Sequence, residues 1–290
     1  MGAARTKSRD SGASIAYAAA KTASHVQDRH HHRAIKGTGM PPAITSDIVV
    51  AYSQCPRKAY LLLFSPGKGE PHEYVQILEQ QRCANQERYI DHLQQTHADV
   101  QPYSVENLRK GSKVLINARL QVDRFTAACG VLTRVEGAST FGKYSYEPSI
   151  FVGTHSISKE QQLELSFVGY VLARLQHTSP AAGSIIGMDG KSHTIKLAGR
   201  SQSLTPLLEP LLAWTTGDAP TPPLLVLNKH CPLCPFQRLC HAQAEQEDNL
   251  SLLDGVTARV MQQYERKGIF TVKQLSYLFK PRKRKIGSNS

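Results

Sequence analysis

The sequence predicts an α/β fold built on a mainly mixed sheet. Three β-rich segments follow one another through the middle of the chain, at 113–122, 125–135 and 144–152. Helical patterns flank them, and a single helix separates the third segment from a short hairpin. Helices, three strands, a helix and a hairpin in that order close into one sheet with helices on its faces.

Each element has a local reason. Ser46 or Asp47 can cap a first helix carrying Ile48, Val49 and Tyr52. Pro56 suits the first position of a second helix with Ala59, Tyr60, Leu62 and Leu63. Ser65-Pro-Gly-Lys-Gly breaks the pattern as a loop. A helix follows over about 72–95, with Val75, Leu78, Tyr89 and Leu93 as expected core positions. After the strands, Ser158-Lys-Glu-Gln161 reads as a capping box opening a helix with Leu163, Phe167, Tyr170, Val171 and Leu175. Asp189-Gly190 marks the hairpin turn between 184–188 and 193–197. A helix over 202–214 and a Pro-rich linker over 217–223 lead into a cysteine cluster.

Charge divides the chain. The net charge is +12, but 1–39 carries seven Lys/Arg against two Asp, and the tail supplies Lys280, Arg282, Lys283, Arg284 and Lys285. Only +2 is left for 40–279, so the basic character belongs to the ends. The expected organisation is a disordered basic extension (1–39), a main domain (40–246), a helical hairpin (247–279) and a basic tail (280–290). No apolar run approaches the roughly 20 residues of a membrane span. A cytoplasmic, reducing location is expected, where clustered cysteines bind metal more often than they form disulfides.

Cys231, Cys234 and Cys240 form a Cys-x2-Cys-x5-Cys cluster in HCPLCPFQRLC. Cys55 lies more than 170 positions earlier, in YSQCPRKAYLLLF. Thiolates suit zinc and iron–sulfur clusters alike. Zn²⁺ could take the three clustered cysteines with Cys55, His230 or His241, whereas an iron–sulfur cluster wants four thiolates. Cys83 and Cys129 sit in apolar patterns and read as core residues.

The two cysteine segments together resemble the iron–sulfur RecB-like nucleases of the PD-(D/E)XK superfamily, which include CRISPR-associated RecB-like exonucleases. The likeness spans about 43–278 and extends through RVEGASTFGKYSYEP and KEQQLELSFVGYVLARLQ. It implies a restriction-endonuclease-like α-β-β-β-α-β core. It implies one [4Fe-4S] cluster on Cys55, Cys231, Cys234 and Cys240, clasping the start of the core to its end. It further implies Mg²⁺- or Mn²⁺-dependent DNA exonuclease activity on single-stranded DNA or ends. A partner carrying a second, ribonuclease-H-like nuclease domain also belongs to the expectation, since relatives continue into such a domain and this sequence stops at Ser290.

The cutting motifs depart from that family. Its strand aspartate falls at Gly130, its (D/E)-x-K on Phe151-Val152-Gly153, and its helix Gln-Leu-x-x-Tyr on Glu164-Leu165-Ser166-Phe167-Val168. Glu147 and Glu164 are the first substitutes as metal-binding carboxylates, with Asp123, Glu136, Glu87, His155 and Lys159 nearby in sequence. A catalytically degenerate protein that keeps the fold and binds DNA or a partner is the alternative. Near the C-terminus, Gly268-Ile-Phe-Thr271 looks like a helix-hairpin-helix turn. Its backbone amides, with Lys280, Arg282, Lys283, Arg284 and Lys285, would then hold DNA phosphates.

Overall fold

The computed structural model describes residues 42–216 and 220–278. Lys280 to Lys285, the expected disordered extension and the first part of the Pro-rich linker lie outside the described residues.

The chain opens with a two-residue strand, β1 (Ile44–Thr45). Helices α1 (Ser46–Gln54) and α2 (Pro56–Phe64) follow, then α3 (Glu73–Thr96). Strand β2 (Val100–Pro102), helix α4 (Val105–Lys110) and strands β3 (Val114–Val122), β4 (Phe125–Ser139) and β5 (Gly142–Phe151) form the middle. Helix α5 (Lys159–Gln176), the hairpin β6 (Ala182–Ile186) and β7 (Ser192–Lys196), and α6 (Ser201–Thr216) complete the main layer. Helices α7 (Gln237–Gln246), α8 (Ala258–Glu265) and α9 (Val272–Ser276) end the described chain.

The seven strands make one mixed sheet in the order β2-β3-β4-β5-β6-β7, with β1 pairing β4 off that path. Strands β3, β4 and β5 form an antiparallel meander, and β5 pairs β6 in parallel across the α5 crossover. The α/β class and the mixed sheet therefore stand. One cap differs in detail. Thr45, not Ser46 or Asp47, caps α1 by accepting from Ile48 N. The capping box at Ser158 and Gln161 forms as expected.

Burial separates two layers. On one face α5 sets Leu165, Phe167, Val168, Val171 and Leu172 against Leu115, Leu132, Tyr146, Ile150 and Ile185. On the other, Ile90 of α3 joins Val114, Ile116, Val131, Phe151 and Ile186, with Tyr89 and Leu93 packed beside them. Helix α3 meets the sheet mainly through its second half. Val75, expected in the core, is 40% exposed, and Tyr74 and Ile77 also face solvent. Cys129 is buried as expected, whereas Cys83 on α3 is exposed.

Strand alternation slips in the middle of the β3–β4 pair. Leu115 and Ala118 share a face, as do Cys129 and Leu132, although strict alternation would separate them. The slip falls at Asn117 and Gly130, which oppose each other between the pairs Ile116↔Val131 and Ala118↔Cys129. Asn117 has φ 56°, a left-handed conformation that lets the strand turn its next side chain over.

Two close contacts tie α3 to β5. The Asn85 side-chain amide is buried and donates to Val152 O, Ile186 O and Gly187 O at 3.1–3.2 Å. A Cβ at Gly153 would stand 2.1 Å from the Leu78 carbonyl oxygen. Gly153→Ala should therefore cost about 1–3 kcal/mol through overpacking. Gly67→Ala, where nothing lies within 4 Å, should cost far less. Urea unfolding midpoints of the two variants check this contrast, and equal midpoints would contradict it.

Candidate functional site

Local sequence sets the geometry of the cysteine region. Cys55 closes α1 through its N–H to Ala51 O, and Pro56 restarts the chain as α2. At the other end, Cys231–Leu233 form one 3₁₀ turn, and Cys240 lies on α7. Cys55, Cys231, Cys234 and Cys240 line one small, largely apolar cavity. Leu61, Leu225, Val226 and Phe236 supply apolar wall, while Arg57, Lys58 and His230 bring the nearby nitrogen groups.

Contacts around the cavity hold the two ends of the main domain together. Arg57 donates to Pro223 O (2.9 Å) and Gln243 Oε1 (2.5 Å). Tyr60 donates to Pro220 O, and Asn228 Nδ2 donates to Gln54 O. Trp214 of α6 meets Tyr52 and Tyr60 edge-on at 5.4 and 5.9 Å between centroids.

The sulfurs sense burial and one another. Burial pushes the Cys234 thiol up; the Phe236 backbone and Lys58 pull the other way, and Cys55 and Cys231 add to the rise. Burial raises Cys240 too, with Arg57 opposing and Cys234 and Cys55 reinforcing. Asn228 N–H donates to Cys231 Sγ at 3.2 Å, a contact that suits a charged thiolate. His230 lines the same cavity, and its pKa is lowered by burial and by Lys229. His241 does not line it. Among the described residues, no three His, Cys, Asp or Glu side chains close up tightly enough to share one metal ion.

A second cleft lies where strands β3, β4 and β5 meet α3 and α5. Arg82, Gln86, Asn117, Arg119, Gly130, Phe151 and Glu164 line it. A Cβ at Gly130 would lie 2.2 Å from the Phe151 ring. The space for a side chain at position 130 is therefore filled by a phenyl group. Gly153, two residues after Phe151, is covered by the α3 backbone at Leu78. At 130 and 153, two of the positions that the family likeness assigns to cutting, the space for a Cβ is taken by neighbours.

The candidate carboxylates separate. Glu164 lines the cleft, and its carboxyl is pushed up to about 7, first by burial and next by the Asp47 charge, with Arg82 opposing. Glu147 does not line the cleft. It sits on β5, paired with Thr133, and accepts from Ala182 N at 3.0 Å, so it helps seat β6. Asp123 is in an ion pair with Arg174 at 2.6 Å. Glu136, Glu87, His155 and Lys159 are exposed. The structure thus leaves Glu164 as the one carboxylate lining the described cleft.

The C-terminal turn gives a clear correction. Gly268 has φ 76°, as a tight turn requires, and Thr271 caps α9. Its amides, however, are already engaged. Gly268 and Ile269 donate to Glu265 O and Tyr264 O, while Phe270 and Thr271 share Gln274 Oε1. Val272 and Lys273 donate to Asp248. The Thr271 hydroxyl accepts from Gln274 N. No backbone donor from 268 to 273 is left for a phosphate, so Gly268 and Thr271 serve to shape the hairpin.

Sequence reasoning missed Arg57, Asn85 and the plug at Phe151. Arg57 stood in CPRK beside Cys55, so its neighbourhood was a usable signal; the other two depend on packing that spacing does not encode. No protein-family model matches the chain, and no curated protein matches it in sequence.

The Glu164 shift has a stability consequence. Its folded pKa lies above the ordinary carboxylate value, so the folded state holds the proton more tightly than the unfolded state. Stability from this group is present at low pH and is lost as pH rises through about 7. Glu164→Gln removes that loss. Its stability relative to wild type should rise by about 1 kcal/mol between about pH 5 and about pH 8, after discounting for partial solvent screening. Denaturant titrations at both pH values measure it; a constant difference would contradict the burial of this carboxyl.

Proposed function

We propose that this chain is an iron–sulfur protein built on a restriction-endonuclease-like, RecB-like core, and that it binds DNA without hydrolysing it. The observation that carries the reading is the meeting of Cys55 with Cys231, Cys234 and Cys240 around one largely apolar cavity. Four sulfurs with apolar wall between them suit a [4Fe-4S] cluster, which is held by four thiolates. A single Zn²⁺ on the same sulfurs, with bonds of about 2.0–2.3 Å to one centre, is the alternative occupant. A bound cluster would tie the α1–α2 junction to the 231–240 segment. Cys55, Cys231, Cys234 and Cys240 would hold it, and the Asn228 N–H donated to Cys231 Sγ would orient that ligand.

The cleft supports binding over cutting. Hydrolysis with Mg²⁺ or Mn²⁺ needs several oxygens around a hard cation. Phe151 fills the space beside Gly130, and Glu164 is the one carboxylate lining the cleft. Arg82, Arg119, Gln86 and Asn117 offer donors in the same cleft, and Glu164 is only partly charged near neutral pH. That balance favours a phosphate backbone, with Lys280, Arg282, Lys283, Arg284 and Lys285 adding charge from the tail.

The second reading, an active nuclease, draws on Glu164 itself. A cleft carboxyl near 7 beside Arg82 is poised for acid–base work.

Anaerobically purified protein should be brown, with absorption near ~400 nm that Cys55→Ser and Cys240→Ser abolish. It should shift labelled single-stranded DNA on a gel, with affinity falling steeply as salt rises. With Mn²⁺ it should leave that DNA intact. Cleavage that disappears in Glu164→Gln would establish the nuclease reading instead, and colourless protein with stoichiometric zinc would remove the cluster.

A further inference from the structure

We infer that Arg57 sets the reduction potential of the cluster, through its charge and through an Nε–H donated to a cluster or cysteine sulfur. This inference rests on the cluster reading above and goes beyond it by assigning a task to a residue that is not a ligand.

Three observations single out Arg57. It lines the four-cysteine cavity on α2, two residues after Cys55. Its two terminal nitrogens are held from outside the cavity, by Pro223 O at 2.9 Å and Gln243 Oε1 at 2.5 Å. Its Nε is buried and has no partner. An orphaned buried donor is costly, and a charged one more so. The surroundings fix the orientation. Gln243 Nε2 donates to Glu247, which leaves Gln243 Oε1 facing Arg57. Gln243 lies three residues after Cys240 on α7, so the same helix face presents the ligand and the arm that holds the guanidinium. A sulfur-rich group in the cavity would supply the acceptor that Nε lacks.

Charge gives the direction. One-electron reduction adds a negative charge to the cluster, the electron coming from a chemical reductant in solution. A fixed cation beside the sulfurs stabilises the reduced form more than the oxidised one. Lys58 also lines the cavity, but its Nζ donates to Gln54 Oε1 on the preceding helix.

The test is an anaerobic redox titration of the full chain with dithionite and mediators, followed by absorption and electron paramagnetic resonance. Arg57→Gln should lower the reduced-to-oxidised ratio at a fixed poise at least tenfold, which for one electron is about 59 mV more negative. Arg57→Lys keeps the charge and should stay within about threefold of wild type, a smaller shift on the same scale. Gln243→Ala keeps the guanidinium and should do the same. A purely structural Arg57 would reduce cluster loading in these variants without moving the potential of the clusters that form. An unchanged potential in Arg57→Gln overturns the inference and leaves the cluster intact. If Arg57→Gln takes up no iron, Arg57→Lys decides: normal loading with a near-wild-type potential supports the inference, and failure to load or a tenfold shift overturns it. Wild-type protein without a cluster would instead remove the reading beneath it.

Discussion

The meeting of α2 with the 231–240 segment is the contact on which the rest of the arrangement depends. It brings Cys55 to three cysteines far along the chain and closes a loop that contains six of the sheet's seven strands. As free thiols, four half-buried cysteines give little in return for being gathered. Burial raises the pKa of Cys234 and Cys240, which disfavours the charged form, and the neighbouring thiolates disfavour it further. A bound metal group reverses that balance, because thiolates are its ligands and it links binding to folding. The surrounding bonds from Arg57, Tyr60 and Asn228 show the same join made by ordinary protein chemistry.

The cleft is governed by a different constraint, the close seating of α3 on the end of β5. Asn85 pins the helix to three carbonyls, and Leu78 lies over Gly153. Phe151 then turns its ring toward Gly130, where the strands β3 and β4 slip out of alternation at Asn117. Packing that fills this corner leaves no room for side chains at 130 or 153. The glycines at 130 and 153 and the packing of Phe151 and Leu78 are therefore one structural arrangement. The cleft keeps its arginines and amides, which need no metal to meet an anion.

Much of this was legible in the sequence where the signal was local and long enough. β3, β4 and β5 announce themselves by β-branched and aromatic residues, and the Ser158–Gln161 cap by its spacing. β1, β2 and α4 were missed because elements of two, three and six residues carry too little periodicity. Val75 was misplaced because α3 is apolar where it stands off the sheet. The cysteine spacing pointed to a metal site, yet it could not place Cys55 beside Cys240. Gly130 was visible as a glycine within a strand, but the ring from β5 that packs against it is seen only after folding. At the C-terminal turn the residue pattern was read correctly as a hairpin and wrongly as a phosphate site, since Gln274 and Asp248 take its amides.

Anomalous diffraction from anaerobically grown crystals, collected on both sides of the iron and zinc absorption edges, tests the central claim most directly. The account predicts four iron peaks in the cavity between Cys55, Cys231, Cys234 and Cys240, with all four sulfurs bonded. A single zinc peak, or no anomalous peak between sulfurs that remain free thiols, would contradict it.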